Sequence, residues 1–148
     1  MRYPSDLEQA ADEWNANCGP GALAAILDLS LAETKPLLRR FEHCGCMNIT
    51  DVLNALTAAQ RTFTSRLKAR PAYGLIFIQW GGHSHKPARA QYRFTHWIAV
   101  DGESIFDVNL PELVTWNDWC ATVPRLMQEE GHSDGTFFIR SAIAVHKT

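Results

Sequence analysis

The sequence predicts an α+β fold in which helices come first and a mainly antiparallel β-sheet follows. In the first part of the chain, apolar residues recur at the spacing of helix faces. From residue 62 onward, short β-branched and aromatic segments alternate with turn residues, which is typical of strands. The 148 residues match the size of one ordinary domain, so we expect a single domain over residues 1–148.

Three helices are expected before residue 62. The first follows Cys18, after which four apolar residues share one helix face: Ala22, Leu23, Ile26 and Leu27. The second covers residues 36–41, with Pro36 in its first turn and Thr34 as its cap. The third lies in "NITDVLNALTAAQ", where Thr50 is the expected cap.

Four strands are expected in the second part: Gly74–Trp80, Tyr92–Val100, Ser104–Asn109 and Thr136–Val145. The second and third flank the dipeptide Asp101-Gly102, which is a strong signal for a tight hairpin turn. The segment "TWNDWCATVPRLMQEEG" predicts one or two short helices that are interrupted before Pro124. The polar residues 81–91 predict an exposed loop.

The composition is that of a soluble globular protein, with 46% hydrophobic and 20% charged residues. A formal net charge of −2 provides no basic surface for nucleic acid. No apolar run approaches the ~18 residues of a membrane span, and the polar first residues lack the apolar core of a secretion signal. We therefore expect a cytoplasmic protein that binds neither nucleic acid nor membrane. Its four cysteines are then free thiols, ligands or catalysts rather than disulfides.

The stretch "WNANCGPGALAAIL", residues 14–27, places a thiol where a helix is expected to begin. With Asn17 as the cap, Cys18 occupies the first turn, where the helix dipole lowers the pKa of a thiol. Gly19 and Gly21 carry no side chains, so we expect them to let a substrate backbone approach the sulfur. A buried cysteine in a Gly-Pro turn would give the same pattern, so the interpretation depends on a partner for Cys18.

His96 and Asp107 form a candidate pair if the hairpin has a two-residue turn at Asp101-Gly102. In that register His96 lies directly opposite Asp107 on one face of the sheet. Opposed side chains lie about 4.5–5.5 Å apart at Cβ. A four-residue loop would put Asn109 opposite His96 instead. An aspartate or an asparagine can orient an imidazole that acts as a general base, and the tighter turn favours Asp107.

The blocks "NCGPGALAAIL", "HWIAVDG" and "IFDVN" together resemble the papain-like cysteine peptidases. The branch they resemble most is the compact bacterial one that includes the double-glycine leader peptidase domains of bacteriocin exporters. In that family the nucleophile begins the first long helix, the histidine lies on a strand of the following sheet, and an Asp or Asn lies on a later strand. The resemblance covers nearly the whole chain. It implies a papain-like fold, with Cys18 as nucleophile, His96 as general base and acid, and Asp107 as the orienting residue.

One position departs from the family pattern. The family usually has a glutamine six residues before the cysteine, where its amide helps to form the oxyanion hole. Here that position is Asp12, and an ionised carboxylate cannot donate a hydrogen bond. The amide of Asn15 or of Asn17, together with the Cys18 backbone N–H, is expected to take this role, and Asn15 is preferred.

The resemblance implies a cysteine peptidase that acts on a protein or peptide through a covalent thioester acyl-enzyme. This chemistry needs no cofactor and no metal. The same three residues also serve deamidases and transglutaminase-like acyltransferases that act on glutamine side chains. A further alternative is a catalytically weak module that only binds peptides. Trp14 and Trp97 adjoin the proposed catalytic segments and are candidates for lining a substrate groove. The oligomeric state stays open.

Two other clusters contain side chains that can ligate metals: His43, Cys44 and Cys46, and also His83 and His85. The Cys-x-Cys spacing differs from the Cys-x₂-Cys loop that usually wraps zinc, so we predict no metal site. Both clusters are expected in loops. The second cluster precedes the His96 strand, which makes it a candidate border of the active-site cleft.

Overall fold

Helices occupy the first part of the chain and a six-stranded antiparallel sheet the second, in a computed structural model that describes residues 1–147. The helices are α1 (Leu7–Trp14), α2 (Cys18–Leu27), α3 (Leu31–Thr34), α4 (Phe41–Cys44), α5 (Ile49–Ala58), α6 (Ala88–Gln91) and α7 (Trp116–Glu129). The strands are β1 (Phe63–Leu67), β2 (Tyr73–Trp80), β3 (Thr95–Asp101), β4 (Ser104–Phe106), β5 (Val114–Thr115) and β6 (Phe137–Val145). The strand order is β1-β6-β2-β3-β4-β5. The predicted α+β layout is confirmed. Within residues 1–147, no helix combines the length and the apolar character needed to cross a membrane.

Strands β2 and β3 are buried on both faces, which explains their nearly continuous apolar sequences. Successive side chains point to opposite faces. On one face, Leu75 and Phe77 belong to the core that contains α2, a helix buried at every position after Cys18. On the other face, Ile76 and Ile78 pack in the core that contains α7. The sheet thus separates two hydrophobic cores.

Helix α7 is continuous through Pro124, so the predicted interruption is wrong. Proline removes one helical N–H and costs about 3 kcal/mol in a helix interior. Burial offsets this cost, because Trp119, Val123 and Met127 lie against the sheet at helical spacing and Pro124 is itself buried. Tertiary packing here overrides the local preference for a break.

Two predicted helix starts are also wrong. Asn48, rather than Thr50, caps α5: its Oδ1 accepts the Asp51 N–H at 2.9 Å, and its own N–H donates to Asp51 Oδ2 at 3.0 Å. The segment 36–41, expected to form the second helix, is divided between a 3₁₀ turn over Lys35–Leu37 and the start of α4, and the expected cap Thr34 is the last residue of α3. A reciprocal cap between Ser30 and Glu33 begins α3 earlier than the apolar pattern indicates.

The ends of two strands shape the region around His96. Strand β3 begins at Thr95, later than predicted, because Tyr92–Phe94 form a 3₁₀ turn. Strand β4 ends at Phe106 and pairs only with the last three residues of β3, whereas β2 pairs with β3 along its whole length. The first half of β3 therefore has an edge without a strand neighbour in the described part of the chain.

We expect Asn48→Ala to lower the free energy of unfolding by about 1 kcal/mol, because the substitution removes the cap of α5. Asn54→Ala is the matched control, since Asn54 is an exposed position within the same helix and alanine favours helices. Urea unfolding of both variants measures the difference. An equal effect at the two positions would contradict the assignment of the cap.

Candidate active site

Cys18 is the first residue of α2, and Asn17 is its cap, as predicted. The Asn17 side chain accepts a hydrogen bond from the Gly19 N–H at 3.3 Å and donates one to the Gly45 carbonyl at 2.9 Å. The cap therefore ties the start of α2 to the loop after α4. The partly exposed Cys18 lies at the positive end of the helix dipole.

His96 interacts with both Cys18 and Asp107. His96 Nε2 lies 2.9 Å from Asp107 Oδ2, and the two residues are 6% and 0% exposed. His96 also interacts with Cys18, since each of the two side chains shifts the pKa of the other. Because Nε2 faces the carboxylate, Nδ1 is the ring nitrogen left for the sulfur. The fold thus brings together the three residues that the sequence analysis proposed as a triad.

The hairpin register behind that proposal is wrong by two residues. Asp101 pairs with Ser104, so the turn is Gly102-Glu103 instead of Asp101-Gly102. A shift by two keeps every side chain on its original face of the sheet. Asp107, just past the end of β4, therefore still shares a face with His96, and its carboxylate reaches the ring diagonally rather than from the opposite position.

Asn109, the alternative third residue, contributes its backbone instead of its side chain. Its N–H donates to Asp107 Oδ1 at 2.8 Å, while its side chain is exposed. The chain leaves the β-ladder at Phe106, before Asn109 can take the position opposite His96 that the observed register would give it.

Trp119 is a further residue of the site, and the sequence analysis did not assign it. Its indole Nε1 donates to Asp107 Oδ2 at 2.7 Å, and the residue is fully buried in α7. A buried indole N–H needs an acceptor, which is the signal that connects this tryptophan to a buried carboxylate. Asp107 consequently accepts three hydrogen bonds, from His96, Trp119 and Asn109.

The surroundings of Cys18 favour its thiolate. Burial alone would raise the pKa of the thiol, but the charge of His96, its hydrogen bond and the Trp97 backbone N–H outweigh burial and lower that pKa. A lowered pKa increases the fraction of the nucleophilic form at neutral pH.

The pKa values of His96 and Asp107 also shift towards the charged forms of these groups. Burial opposes protonation of His96, yet Asp107 and Cys18 raise the pKa of the imidazole well above its ordinary value. Burial likewise opposes ionisation of Asp107, but His96 and the other donors hold the pKa of the carboxyl below its ordinary value. These shifts all favour the charged forms of the three groups: a thiolate, an imidazolium and a carboxylate in sequence.

Two cavities meet at Cys18. The first cavity, about 410 Å³, lies between Cys18 and the loop residues 44–47. The second cavity, about 380 Å³, lies between Cys18, His96 and the residues around the end of α7. Four residues line both cavities: Asn17, Cys18, Arg93 and Thr95. Cys18 therefore borders both cavities.

A larger cavity of about 600 Å³ lies between residues 36–41 and α5. It shares Cys46 and Met47 with the first cavity but is lined by none of the three triad residues. Cavity volume therefore does not identify the candidate site, because the larger cavity contains none of these three side chains. The chemistry of the lining side chains is the better guide.

The two tryptophans proposed for a substrate groove lie in different places. Trp97 lines the first cavity, where its Nε1 donates to the Met47 carbonyl at 2.9 Å and its ring stacks on Phe77. Trp14 lines neither cavity, because it lies on the buried face of α1 and packs edge-on against Phe41. Both tryptophans belong to the core, and Trp97, at 3% exposure, is the one of the two that also borders a cavity at Cys18.

The two candidate oxyanion donors also differ. Asn15 ends α1 in a left-handed conformation (φ 57°), is exposed, and lines neither cavity at Cys18. Asn17 lines both cavities. Asp12 and Gln9, the residues nearest to the family's usual glutamine position, are exposed on α1.

The glycines after Cys18 allow close packing of α2. A Cβ on Gly19 would lie 2.9 Å from Met47 Sδ, and a Cβ on Gly21 would lie 3.1 Å from Phe106 Cζ. Gly19 also lines the first cavity, so clearance for a substrate applies to this position. Gly21 faces the core, so the expected clearance role is wrong for it.

The histidine and cysteine clusters make different contacts. Across residues 1–147, no group of three or more His, Cys, Asp or Glu side chains is arranged to hold a metal ion. Cys44 and Cys46 line the first cavity. His83 stacks on Phe94 at 3.4 Å and donates to the His132 carbonyl at 2.8 Å, and these two partners line the second cavity. His83 thus supports a wall of the second cavity, and His85 is exposed.

We expect Trp119→Phe to lower the free energy of unfolding at neutral pH by about 2 kcal/mol, because the charged Asp107 loses a buried hydrogen bond. A carboxyl with a lowered pKa stabilises the fold above its unfolded pKa, and this contribution is lost as the pH falls through the folded pKa. The difference in the free energy of unfolding between Trp119→Phe and wild type should therefore become smaller at acidic pH.

Trp116→Phe, on the same helix and without a bond to Asp107, is the matched control. Urea unfolding at neutral and acidic pH measures both variants. A loss for Trp119→Phe that does not depend on pH, or an equal loss for the control, would contradict this role.

The site is characterised by its own geometry. No protein-family model matches the chain, and neither does any curated protein or solved structure. What distinguishes the site is a thiol at a helix N-terminus whose pKa is lowered by a buried imidazole, which in turn is hydrogen-bonded to a buried carboxylate.

Proposed function

We propose that this protein is a papain-like cysteine peptidase in which Cys18, His96 and Asp107 form the catalytic triad. The observation that carries the proposal is the 2.9 Å bond between His96 Nε2 and Asp107 Oδ2, with the other ring nitrogen left for Cys18. A helix that begins with the nucleophile and a following antiparallel sheet that bears the histidine agree with the layout of that family.

In the acylation step, the Cys18 thiolate attacks the carbonyl carbon of the scissile amide. The new C–S bond moves an electron pair onto the carbonyl oxygen. When the tetrahedral intermediate collapses, the C–N bond breaks and the His96 imidazolium gives its proton to the leaving amine. The products of this step are a free amine, a neutral His96 and a thioester on Cys18.

In the deacylation step, neutral His96 takes a proton from water as the water oxygen attacks the thioester carbonyl. Collapse breaks the C–S bond and releases a carboxylic acid. The thiolate and the imidazolium are restored, so the cycle balances without a cofactor. Asp107 orients the ring throughout and stays ionised, since its pKa is held low.

Asn17 is the side chain best placed to hold the oxyanion. One of its two amide hydrogens is donated to the Gly45 carbonyl, which leaves the other for a substrate oxygen. The Cys18 backbone N–H in the first turn of α2 supplies the second donor. The exposed Asn15, preferred from the sequence, lines neither cavity.

The reactivity of Cys18 tests the ion pair. Iodoacetamide should label Cys18 faster than the other three cysteines, and the rate should stay high well below the ordinary pKa of a thiol, because His96 lowers the pKa of Cys18. His96→Gln removes that cause while burial still raises the pKa, so labelling at neutral pH should fall at least roughly tenfold.

His85→Gln, an exposed histidine, is the matched control for this experiment. Peptide mass mapping assigns the labelled cysteine, and circular dichroism verifies that each variant is folded. If Cys18 labels no faster than Cys44, Cys46 or Cys120, or if His96→Gln leaves its rate unchanged, the triad does not form.

Peptide turnover tests the oxyanion donor. Asn17→Ser keeps an oxygen that can cap α2 but shortens the side chain and removes its amide, so we expect kcat to fall by about 10²-fold. Asn15→Ser should leave kcat unchanged. The reverse order of effects would assign the oxyanion hole to Asn15.

The mass of the product separates the proposed reaction from its alternatives. A peptide library incubated with the protein should yield fragments whose masses sum to the substrate plus water. A gain of about one dalton without a split indicates a glutamine deamidase. A bound peptide that is unchanged by wild type and by Cys18→Ser alike indicates a module that only binds peptides.

A further inference from the structure

Arg93 lies at the junction of the two cavities and has no acidic partner. It belongs to the 3₁₀ turn just before β3, its side chain is exposed, and it lines both the first and the second cavity. Its guanidinium makes no hydrogen bond or ion pair with residues 1–147. A cation beside the proposed nucleophile is therefore available to a ligand.

Arg93 supplies the positive charge in the lining of the first cavity. No aspartate, glutamate, lysine or histidine is among its lining residues within the described chain. In the second cavity the one lining carboxylate in residues 1–147 belongs to Glu130, and it lies 3.7 Å from His132 Nε2. Both cavities thus leave the Arg93 guanidinium without a carboxylate from the protein.

Hydrogen bonds anchor the backbone on both sides of Arg93. The buried Gln79 side chain donates to the Gln91 carbonyl at 3.0 Å and to the Phe94 carbonyl at 3.2 Å. The Tyr92 hydroxyl donates to the Met47 carbonyl at 3.0 Å. These bonds leave the Arg93 side chain as the part of this turn that a ligand would order.

We infer that Arg93 binds a carboxylate of the substrate next to the scissile bond, so that the site selects acidic peptides. A guanidinium fork matches a carboxylate in a bidentate geometry that the neutral side chains of the first cavity cannot offer. The carboxylate comes either from an Asp or Glu side chain or from the C-terminus of a short peptide. This inference rests on the proposed peptidase function.

An alkylation ratio tests the inference without a known substrate. Iodoacetate carries a carboxylate, whereas iodoacetamide is neutral, and both attack the same Cys18 thiolate, so the ratio of their rates cancels the thiolate fraction. The rate with iodoacetate divided by the rate with iodoacetamide should fall about threefold in Arg93→Gln and further in Arg93→Glu. It should also fall with added salt in wild type, as expected for a charge at the protein surface.

Arg89→Gln is the matched control, because Arg89 is an exposed arginine on α6 that lines neither cavity. Its ratio should equal that of wild type. An unchanged ratio in Arg93→Gln overturns the inference. Slow labelling of Cys18 by both reagents in wild type overturns the proposed function instead, so the two failures are distinguishable.

Paired peptides identify the source of the carboxylate. Substrates found in the library are resynthesised with Glu or Gln on either side of the cleaved bond, and with a free or amidated C-terminus. Wild type should prefer the acidic member of one pair by about tenfold in kcat/KM, and Arg93→Gln should abolish that preference. Equal kcat/KM values within every pair for wild type would overturn the inference.

Discussion

The ionised carboxylate of Asp107, buried with no exposed surface, is the constraint on which the site depends. A charge in this position is costly unless hydrogen bonds and an opposite charge compensate it. His96 provides the charge, and Trp119 and the Asn109 backbone provide the remaining hydrogen bonds. The donors come from β3, from α7 and from the turn after β4. Satisfying one carboxylate thus fixes three elements of the fold relative to one another.

The early end of β4 allows this network to reach the nucleophile. His96 lies on the same face of the sheet as Ile98, towards α7, whereas Cys18 belongs to the helix on the opposite face. Because β4 pairs only with the last residues of β3, the first half of β3 has an open edge at which the two side chains can meet.

The sequence was sufficient for those features that depend on a local pattern. The α+β layout, the cap at Asn17 and the shared sheet face of His96 and Asp107 follow from hydrophobic period, capping chemistry and strand parity. The pairing of His96 with Asp107 survived a wrong register because a two-residue shift preserves the face of each side chain.

Features that depend on tertiary contacts were not predictable in this way. The path of α7 through Pro124 is set by the core beneath it, and the packing role of Gly21 is set by Phe106 from a distant strand. Trp14 is adjacent to the site in sequence but faces the core, since the face of α1 is decided by its neighbours. The contact from Trp119 to Asp107 required the position of α7, which no local pattern specifies.

The central claim is that Cys18 and His96 form a thiolate–imidazolium pair in the resting protein. Nuclear magnetic resonance of isotope-labelled histidine, followed over a pH titration, measures the protonation of both nitrogens of His96. The account predicts a doubly protonated ring at neutral pH in wild type, and a lower pKa of the ring in Cys18→Ser, because the thiolate is one of the groups that raise it. A neutral ring at neutral pH in wild type, or a pKa that is the same in Cys18→Ser, would contradict the account.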